Sequence, residues 1–297
     1  MFFLLLQINL QTLRLMKKNI LLIFLYIFIL NSHSQISNSP KYLLTSNTDF
    51  LGLSVLNTLD PYLSPLNYSG LGLKYSHAER KYFSPENTKL SMIGKFSALA
   101  GLGLNPENTA SMMIVCGNYS WGAQHHFRLN DKLEILAGGN VDVNMGVKSI
   151  ARNVNNPVNV DLATNINLSS LLRYDFTVFK LKVRLKYQLE IPVIGAMFVP
   201  TFGQSYYEMF EIGNLSNAIH FSAFHNKRGV NQDIQLEIPF NKSTIQIGFG
   251  GNSLKYKANE MVFYQNEFNL QIAYIYDIYK ISGSKKALPE NFISTQK

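Results

Sequence analysis

Two-residue alternation of apolar and polar side chains is the feature that most restricts how this chain can fold. From Leu133 to Val147 the odd positions are apolar or glycine, and acids and amides lie between them. From Val158 to Phe176 the apolar row occupies even positions, and from Phe179 to Ile191 it occupies odd positions again. Side chains alternate between two faces only along a strand. The sequence therefore predicts three consecutive β-strands.

The length of these strands indicates what kind of sheet they form. Strands in soluble proteins are mostly about 5–6 residues long, whereas a tilted strand that crosses a bilayer needs about 9–11. The three predicted strands are longer still, which makes a soluble sandwich the weaker alternative. We expect an all-β fold, a single antiparallel transmembrane β-barrel of about 12 strands, whose apolar row contacts lipid and whose polar row faces the lumen.

Composition agrees with a barrel and excludes some classes of partner. Charged residues are 15% of the chain and its net charge is +8. With no Lys/Arg block or basic helix, nucleic acid is not an expected partner. The expected partners are the lipid bilayer and either a small solute or another envelope protein. The only cysteine is Cys116, so no intramolecular disulfide can form.

The chain divides into a leader, a barrel and a tail. Lys17 and Lys18 precede the apolar run Ile20 to Leu30, the pattern of a secretory signal peptide and too short for a spanning helix. We predict a signal peptide over residues 1–34 with its start at Met16, and a retained anchor is the alternative. The barrel is predicted over residues 35–280 and a polar C-terminal tail over 281–297. Export and a barrel together predict localisation in the bacterial outer membrane.

Eleven strands can be read from the pattern, and single-chain bacterial barrels have an even number. We place the missing strand within Thr201–Ile212. Parity predicts an odd-numbered loop around Asn130–Asp131. It predicts a two-residue connection at Thr177–Val178, which would set Asp175 opposite Lys180. The alternation breaks over Pro192–Gly213, which we interpret as a long apolar outer loop folded over or into the lumen.

Several segments resemble a known family. These are Leu59-Asp-Pro-Tyr-Leu-Ser-Pro-Leu-Asn-Tyr-Ser-Gly70, Tyr119-Ser-Trp-Gly-Ala-Gln-His-His-Phe-Arg128, Leu136-Ala-Gly-Gly-Asn140, Arg152-Asn-Val-Asn-Asn-Pro157 and Pro200-Thr-Phe-Gly-Gln-Ser-Tyr-Tyr-Glu208. The chain is similar to an uncharacterised family of exported Bacteroidetes proteins, defined by a domain of unknown function. The resemblance covers about residues 43–280 and implies an outer-membrane barrel, but no activity and no catalytic residues.

Two groups of residues are candidates for function. The first is a basic row on one strand, consisting of Lys180, Lys182, Arg184 and Lys186. It is either a lumen face balanced by acids such as Asp175 and Asp161, or an anion-favouring wall along a passage. The second is a polar cluster in the apolar outer loop, consisting of Gln204, Ser205, Tyr206, Tyr207 and Glu208. Its alternative role is to pack the loop as a plug.

The sequence offers little support for catalysis. His125 and His126 are adjacent and point to opposite faces of a strand, so they cannot share a metal. We therefore predict no metal site and no cofactor. A phospholipase-like Ser, His and Asn triad has no recognisable spacing here, so we expect a protein that is not an enzyme. The expected function is a small-solute channel or binding barrel, and the alternatives are a non-conducting subunit of an envelope or secretion complex and a lipid hydrolase.

Overall fold

The computed structural model describes residues 42–153, 156–213, 215, 217–240, 243–278 and 292–295. The predicted signal peptide and most of the predicted tail lie outside these described residues. The strands are β1 (Tyr42–Leu43), β2 (Thr45–Leu59), β3 (Asn67–Tyr82), β4 (Leu90–Leu104), β5 (Ser111–Arg128), β6 (Leu133–Ser149), β7 (Val158–Val178), β8 (Leu181–Phe198), β9 (Ile219–Ala223), β10 (Lys227–Phe240), β11 (Ser243–Ala258), β12 (Met261–Ile278) and β13 (Phe292–Ile293). One short helix, α1 (Tyr206–Phe210), precedes β9.

Strands β2 to β12 form one antiparallel sheet that closes on itself. Its order is β10-β11-β12-β2-β3-β4-β5-β6-β7-β8-β9, and β10 also pairs with β8. Strand β9 pairs with residues Ile194–Phe198 of β8, and β10 pairs with residues Arg184–Glu190 of β8. Strands β9 and β10 therefore share one position in the wall. The predicted single antiparallel β-barrel is confirmed. Its wall has ten positions among the described residues, where about 12 strands were expected.

The two faces of the wall carry the predicted side chains. Outward residues are apolar and open to the surroundings, as shown by Leu73 at 62% exposure and Leu168 at 60%. Inward residues on the same strands are polar and buried, and examples are Ser76, Asn165 and Asn167. The alternation in the sequence therefore reports the two sides of one closed sheet.

Two connections at the same end of the barrel test the parity argument. Arg128 pairs with Glu134, which leaves an odd-numbered loop between them, as predicted. The two-residue connection at Thr177–Val178 is wrong in position, because Val178 pairs with Leu181 across a turn at Phe179 and Lys180. Asp175 consequently lies opposite Arg184 and not opposite Lys180. Parity determines whether the number of residues in a loop is even or odd. It does not determine where the loop lies, because moving the loop by two residues along the chain leaves the same side chains facing inward.

The segment predicted to leave the wall at Pro192 stays in it for seven residues. Strand β8 continues to Phe198, with a register shift opposite Ile166 and Asn167 that accommodates one extra residue near Pro192. Proline has no N–H to donate to a ladder, and a bulge is where a strand tolerates it. The additional strand predicted within Thr201–Ile212 is also wrong, because that segment contains α1. No helix in the described part of the chain is long and apolar enough to cross a membrane.

The barrel has two different ends. The loop end carries the connections that follow β2, β4, β6 and β8, of which the last is the longest, together with the short turn after β11. The turn end carries the connections that follow β3, β5, β7 and β10, and it is where β2 begins and β12 ends. At the turn end, β13 pairs in parallel with β1, and the Ser294 and Thr295 side chains are buried against Ser46.

Candidate functional site

The loop end of the lumen is filled by apolar side chains from the strand ends and from the connections. This loop-end cluster consists of Leu56, Tyr62, Leu63, Tyr68, Leu99, Met112, Ile114, Ile150, Met197, Val199, Ala258, Met261 and Phe263. Tyr62 and Leu63 belong to the connection after β2, and Val199 begins the connection after β8. The chain therefore folds its own loops into the barrel mouth, where they are removed from water.

Helix α1 fastens the loop after β8 to this cluster. Ser205 caps the helix: its Oγ accepts from the Glu208 N–H at 3.2 Å, and its own N–H donates to Glu208 Oε2 at 2.9 Å. The Tyr206 hydroxyl donates to Asn159 Oδ1 at 2.9 Å and accepts from the Val160 N–H at 2.6 Å. The Tyr206 hydroxyl thus joins the loop to the wall, acting both as a hydrogen-bond donor and as an acceptor.

A second tyrosine links two loops across the mouth. The Tyr62 hydroxyl donates to the Gln204 carbonyl oxygen at 2.6 Å, and its ring meets that of Tyr206 edge-on at 6.1 Å between centroids. Burial raises the pKa of Tyr62 to about 12, with further contributions from the charges of Asp60 and Glu208. Burial also raises the pKa of Tyr206. Both phenols therefore stay neutral hydrogen-bond donors at ordinary pH.

Buried charges lie directly beneath the loop-end cluster. Asp60 is fully buried and accepts from Lys148 Nζ at 3.2 Å and from Asn159 Nδ2 at 2.8 Å. Lys148 also contacts Asp161 at 2.7 Å between Nζ and Oδ2. Burying a charge is costly unless it is paired and hydrogen-bonded. The charges of this group are paired, and Asp60 accepts both of its hydrogen bonds through Oδ2. It ties the connection after β2 to strands β6 and β7.

A cavity of about 210 Å³, lined by charged, amide and apolar side chains, occupies the middle of the lumen. One wall is rich in amides around Asp142, which accepts from Asn144 at 2.6 Å, Asn165 at 2.7 Å and Asn167 at 2.6 Å. Lys227 donates to Asn165 Oδ1 at 2.7 Å, so one amide bridges the ammonium and the carboxylate. We call this space the central cavity.

Some charges around the central cavity have only neutral partners. Glu190 accepts from Asn140 at 3.2 Å, Gln188 at 2.8 Å and Asn231 at 3.2 Å. Among the described residues, no ion pair within 4.0 Å joins Glu190, Asp142 or Lys227 to an opposite charge. Lys74 differs, because both of its contacts to Glu267 are short, at 2.9 and 3.0 Å. The central cavity thus presents two carboxylates and one ammonium that are available to a ligand.

The turn-end half of the lumen is crossed by a chain of hydrogen bonds over five adjacent strands. Arg80 Nη1 donates to Ser91 Oγ at 3.0 Å, and that oxygen lies 2.8 Å from His126 Nε2. His126 Nδ1 lies 3.0 Å from Glu134 Oε1, and Arg173 Nη1 donates to Glu134 Oε2 at 3.1 Å. We call Arg80, Ser91, His126, Glu134 and Arg173 the turn-end network.

The middle of this network has the order of a serine triad. A carboxylate only accepts, so the His126 Nδ1 must carry the proton and Nε2 accepts from the Ser91 hydroxyl. Ser91 is fully buried and its oxygen also accepts from Arg80. A substrate carbonyl has no approach to that oxygen in this conformation. The partners of His126, Ser91 and Glu134, lie on the adjacent strands β4 and β6, because hydrogen bonds in this network cross between strands.

The structure separates the four residues of the basic row. Lys180 lies in the turn and Lys182 at the start of β8, and both are exposed. Arg184 contacts Asp175 at 2.5 and 2.9 Å, and Lys186 contacts Glu237 at 2.8 Å. The two residues inside the lumen are thus balanced by acids on neighbouring strands.

The Gln204–Glu208 block is divided between capping and packing. Ser205 and Glu208 form the capping box described above, and Tyr206 reaches the lumen mouth. Tyr207 is 67% exposed, and the Gln204 carbonyl holds Tyr62. In the described structure the block anchors a loop, with Tyr206 as the member nearest the lumen.

The residues that line the central cavity were not selected from the sequence. Asp142 stood in the polar row of β6, so its inward direction could be predicted, but its neighbours Glu190 and Lys227 come from β8 and β10. The order of strands around the wall brings them together. Among the described residues, no group of three or more His, Cys, Asp or Glu side chains could hold a metal ion.

Solved structures with a similar fold are outer-membrane proteins. The outer membrane protease OmpT from Escherichia coli matches with 6% identity and a TM-score of 0.45, over 82% of this chain and 99% of that chain. The transport unit of the autotransporter AIDA-I from Escherichia coli has 7% identity and a TM-score of 0.41, over 84% and 94%. An outer membrane channel from Pseudomonas putida F1 has 9% identity and a TM-score of 0.34, over 84% and 98%. These similarities carry no information about activity.

Comparison of sequences gives the family. No curated protein matches the chain. A family profile described as "Protein of unknown function (DUF3316)" matches residues 20–285, which is most of the chain and includes every strand of the barrel wall. The segments singled out in the sequence lie within this match. The chain therefore belongs to the DUF3316 family of proteins of unknown function.

Proposed function

We propose that this protein is an outer-membrane β-barrel that binds a small zwitterionic solute in its central cavity and does not form a continuous pore. The outward apolar row supports the membrane location, because such a surface is stable against lipid. The observation that carries the proposal is a cavity with charged side chains in its lining that lies between two closures, the loop-end cluster on one side and the turn-end network on the other.

The charges around the central cavity support the class of solute. Asp142 and Glu190 can receive an ammonium group, and Lys227 can receive a carboxylate. Each is already hydrogen-bonded to amides, so its orientation is fixed before a ligand arrives. A solute that carries both signs, such as a free amino acid, complements all three charges. A neutral sugar would leave them unmatched.

The channel alternative requires an open path along the axis. At the loop end that path is occupied by Tyr62, Met112 and Met197, all at most 4% exposed. At the turn end it meets Arg173 and Glu134, joined at 3.1 Å. An anion-selective wall would need unpaired cations in a row, whereas Lys186 is paired with Glu237.

The proposal is tested by conductance and by direct binding. Protein refolded into planar bilayers is expected to show no stepwise openings. In equilibrium dialysis with L-glutamine, acetate and glucose as probes, we expect L-glutamine alone to be retained. Asp142→Asn should weaken that retention about tenfold or more, since a hydrogen bond to a charged group contributes about 1.5–3 kcal/mol.

Asp131→Asn, on an exposed turn, is the matched control and should bind L-glutamine like the original protein. Regular openings in the unmodified protein would refute closure of the lumen. Equal retention of all three probes, or of none, would refute the solute class.

A further inference from the structure

Three exposed cations lie together on the outward face of the wall, near the loop end. Arg228 on β10 lies directly opposite Lys255 on β11, and Lys257 follows two residues later on the same strand. All three side chains are exposed, whereas their neighbours Lys227 and Tyr256 line the central cavity on the other face. We call Arg228, Lys255 and Lys257 the outward basic patch.

No acid balances the outward basic patch. Among the described residues, none of its three cations has a carboxylate within 4.0 Å, and Glu260 in the turn after β11 makes no such pair either. The acids of β10, β11 and β12 all stand at inward positions of the alternation, and they are Asp233, Glu237, Glu267 and Asp277. Like charges directly opposite each other, with Cβ atoms about 4.5–5.5 Å apart, destabilise a sheet. An anion between them would remove this repulsion.

The outward basic patch lies at the edge of the lipid-facing surface. Toward the turn end, the outward rows of β10 and β11 become apolar and exposed at Ile234, Ile247 and Phe249. Beside the patch, Tyr264 on β12 lies opposite Lys255. Tyrosine is enriched where hydrocarbon meets water, at the level of the lipid headgroups. The three cations are therefore placed where the phosphate groups of lipids lie.

Exposed aromatic side chains adjoin these cations. Arg228 Nε donates to the Phe224 carbonyl oxygen at 3.4 Å, and the Phe224 side chain is exposed. Phe221 on β9 is exposed as well, and the His225 ring stacks on it at 6.3 Å between centroids. A surface with cations beside exposed rings complements a ligand that has an anionic head and an apolar body. Guanidinium and ammonium groups both bind phosphate oxygens well.

We propose that the outward basic patch binds the phosphate group of an anionic lipid in the leaflet at the loop end. The phosphate lies among Arg228, Lys255 and Lys257, and the acyl chains follow the apolar row that contains Ile247 and Phe249. This site goes beyond the proposed function, because it uses the outer surface of the wall and needs neither the central cavity nor a solute. The two proposals share only the location of the barrel in a bilayer.

The test uses quenching of tryptophan fluorescence by lipids with brominated acyl chains. The reporter is Phe224→Trp in a Trp121→Phe background. The reference is the unmodified protein, whose only tryptophan, Trp121, lies on the outward face with Gly94 and Val141 as its cross-strand neighbours. Both proteins are refolded into phosphatidylcholine vesicles that contain a minor share of either brominated phosphatidic acid or brominated phosphatidylcholine.

We expect phosphatidic acid to be enriched about fivefold over phosphatidylcholine at position 224, the ratio that corresponds to about 1 kcal/mol from one cation near an anionic lipid. Trp121 should be quenched by phosphatidic acid no more than by phosphatidylcholine. Lys255→Gln with Lys257→Gln in the reporter protein should abolish the enrichment. Lys180→Gln with Lys182→Gln, a pair of exposed lysines at the turn end, should preserve it.

Equal quenching by the two lipids at position 224, with Trp121 quenched by both, would overturn this proposal alone and leave the patch to an acidic protein or to solvent. A Trp121 that neither lipid quenches would contradict the bilayer location, and both proposals with it. Sodium phosphate should lower the enrichment no more than sodium chloride of equal ionic strength, and a larger loss would assign the patch to free phosphate instead of lipid. If Phe224→Trp does not refold, Phe221→Trp carries the reporter.

Discussion

Single residues in this lumen are stabilised by partners on other strands. Asp60 illustrates the point: it is fully buried and depends on Lys148 and Asn159, which lie on β6 and β7. Lys148 in turn divides its charge between Asp60 and Asp161. Removing one member of such a group leaves a buried charge without full compensation, which costs more than the pair itself contributes.

Asp60→Ala should therefore destabilise the barrel strongly. We expect a loss of about 3 kcal/mol in the free energy of unfolding. This is the cost of leaving Lys148, which is 3% exposed, with Asp161 as its one remaining acid among the described residues. Urea unfolding in detergent micelles measures it. Asp131→Ala, on an exposed turn, should change stability by less than about 0.5 kcal/mol. Similar losses of stability in both variants would show that the buried group of Asp60, Lys148 and Asp161 does not account for the effect.

Among the elements, the tight hairpin turn after β7 is poorly matched to its own sequence. Phe179 has φ of 46° and Lys180 of 73°, the left-handed region that a type I′ turn needs and that Asn-Gly fills best. The Phe179 side chain is 96% exposed, so its packing does not compensate. The turn after β11, at Asn259 and Glu260, has φ of 49° and 64° and already begins with asparagine.

The double substitution Phe179→Asn with Lys180→Gly should stabilise the barrel. Relief of two left-handed non-glycine residues is expected to raise the free energy of unfolding by about 1–2 kcal/mol, measured by the same urea titration. Glu260→Gly, which relieves one such residue, should give roughly half of that gain. A loss of stability in the double variant would mean that Phe179 or Lys180 makes a contact that the turn geometry does not reveal.

For the whole molecule, the decisive feature is the pairing of β8 with β10. It closes the sheet at ten wall positions and leaves the short β9 beside the end of β8. Near Pro192 this seam changes partner, from β10 at Glu190 to β9 at Ile194. Between these two pairings β8 and β10 are in close contact, because a Cβ added at Gly229 would lie only 3.0 Å from Pro192 Cγ.

A cross-strand disulfide tests that closure directly. Leu185 lies opposite Leu236, and directly opposed residues have Cα atoms about 4.5–5.5 Å apart, within the range for a disulfide. In a Cys116→Ser background, Leu185→Cys with Leu236→Cys should cross-link on oxidation and change the mobility of the unheated protein in a non-reducing gel. Leu185→Cys with Phe240→Cys, displaced by about 13 Å along the strand, should not. No cross-link in the first pair would place another strand between β8 and β10.

Prediction from the sequence succeeded where a property repeats along one strand. The inward direction of Asp142, the outward direction of Trp121 and the opposite faces of His125 and His126 all follow from the alternation. It failed where the answer depends on a neighbour, as for Asp175, which meets Arg184 and not Lys180. The Ser205 to Glu208 spacing did contain the signal for α1, a capping box, but the apolar residues around it favoured a strand.

The sequence by itself determined that this protein is a barrel with an apolar outside and a polar inside, because a period of two along a chain has one structural meaning over such lengths. Only the tertiary structure decided that ten positions close the wall, that loops fill one mouth, and that Asp142, Glu190 and Lys227 surround one cavity. Those outcomes depend on which strands become neighbours and in what register, and register is fixed by pairing between segments far apart in the chain.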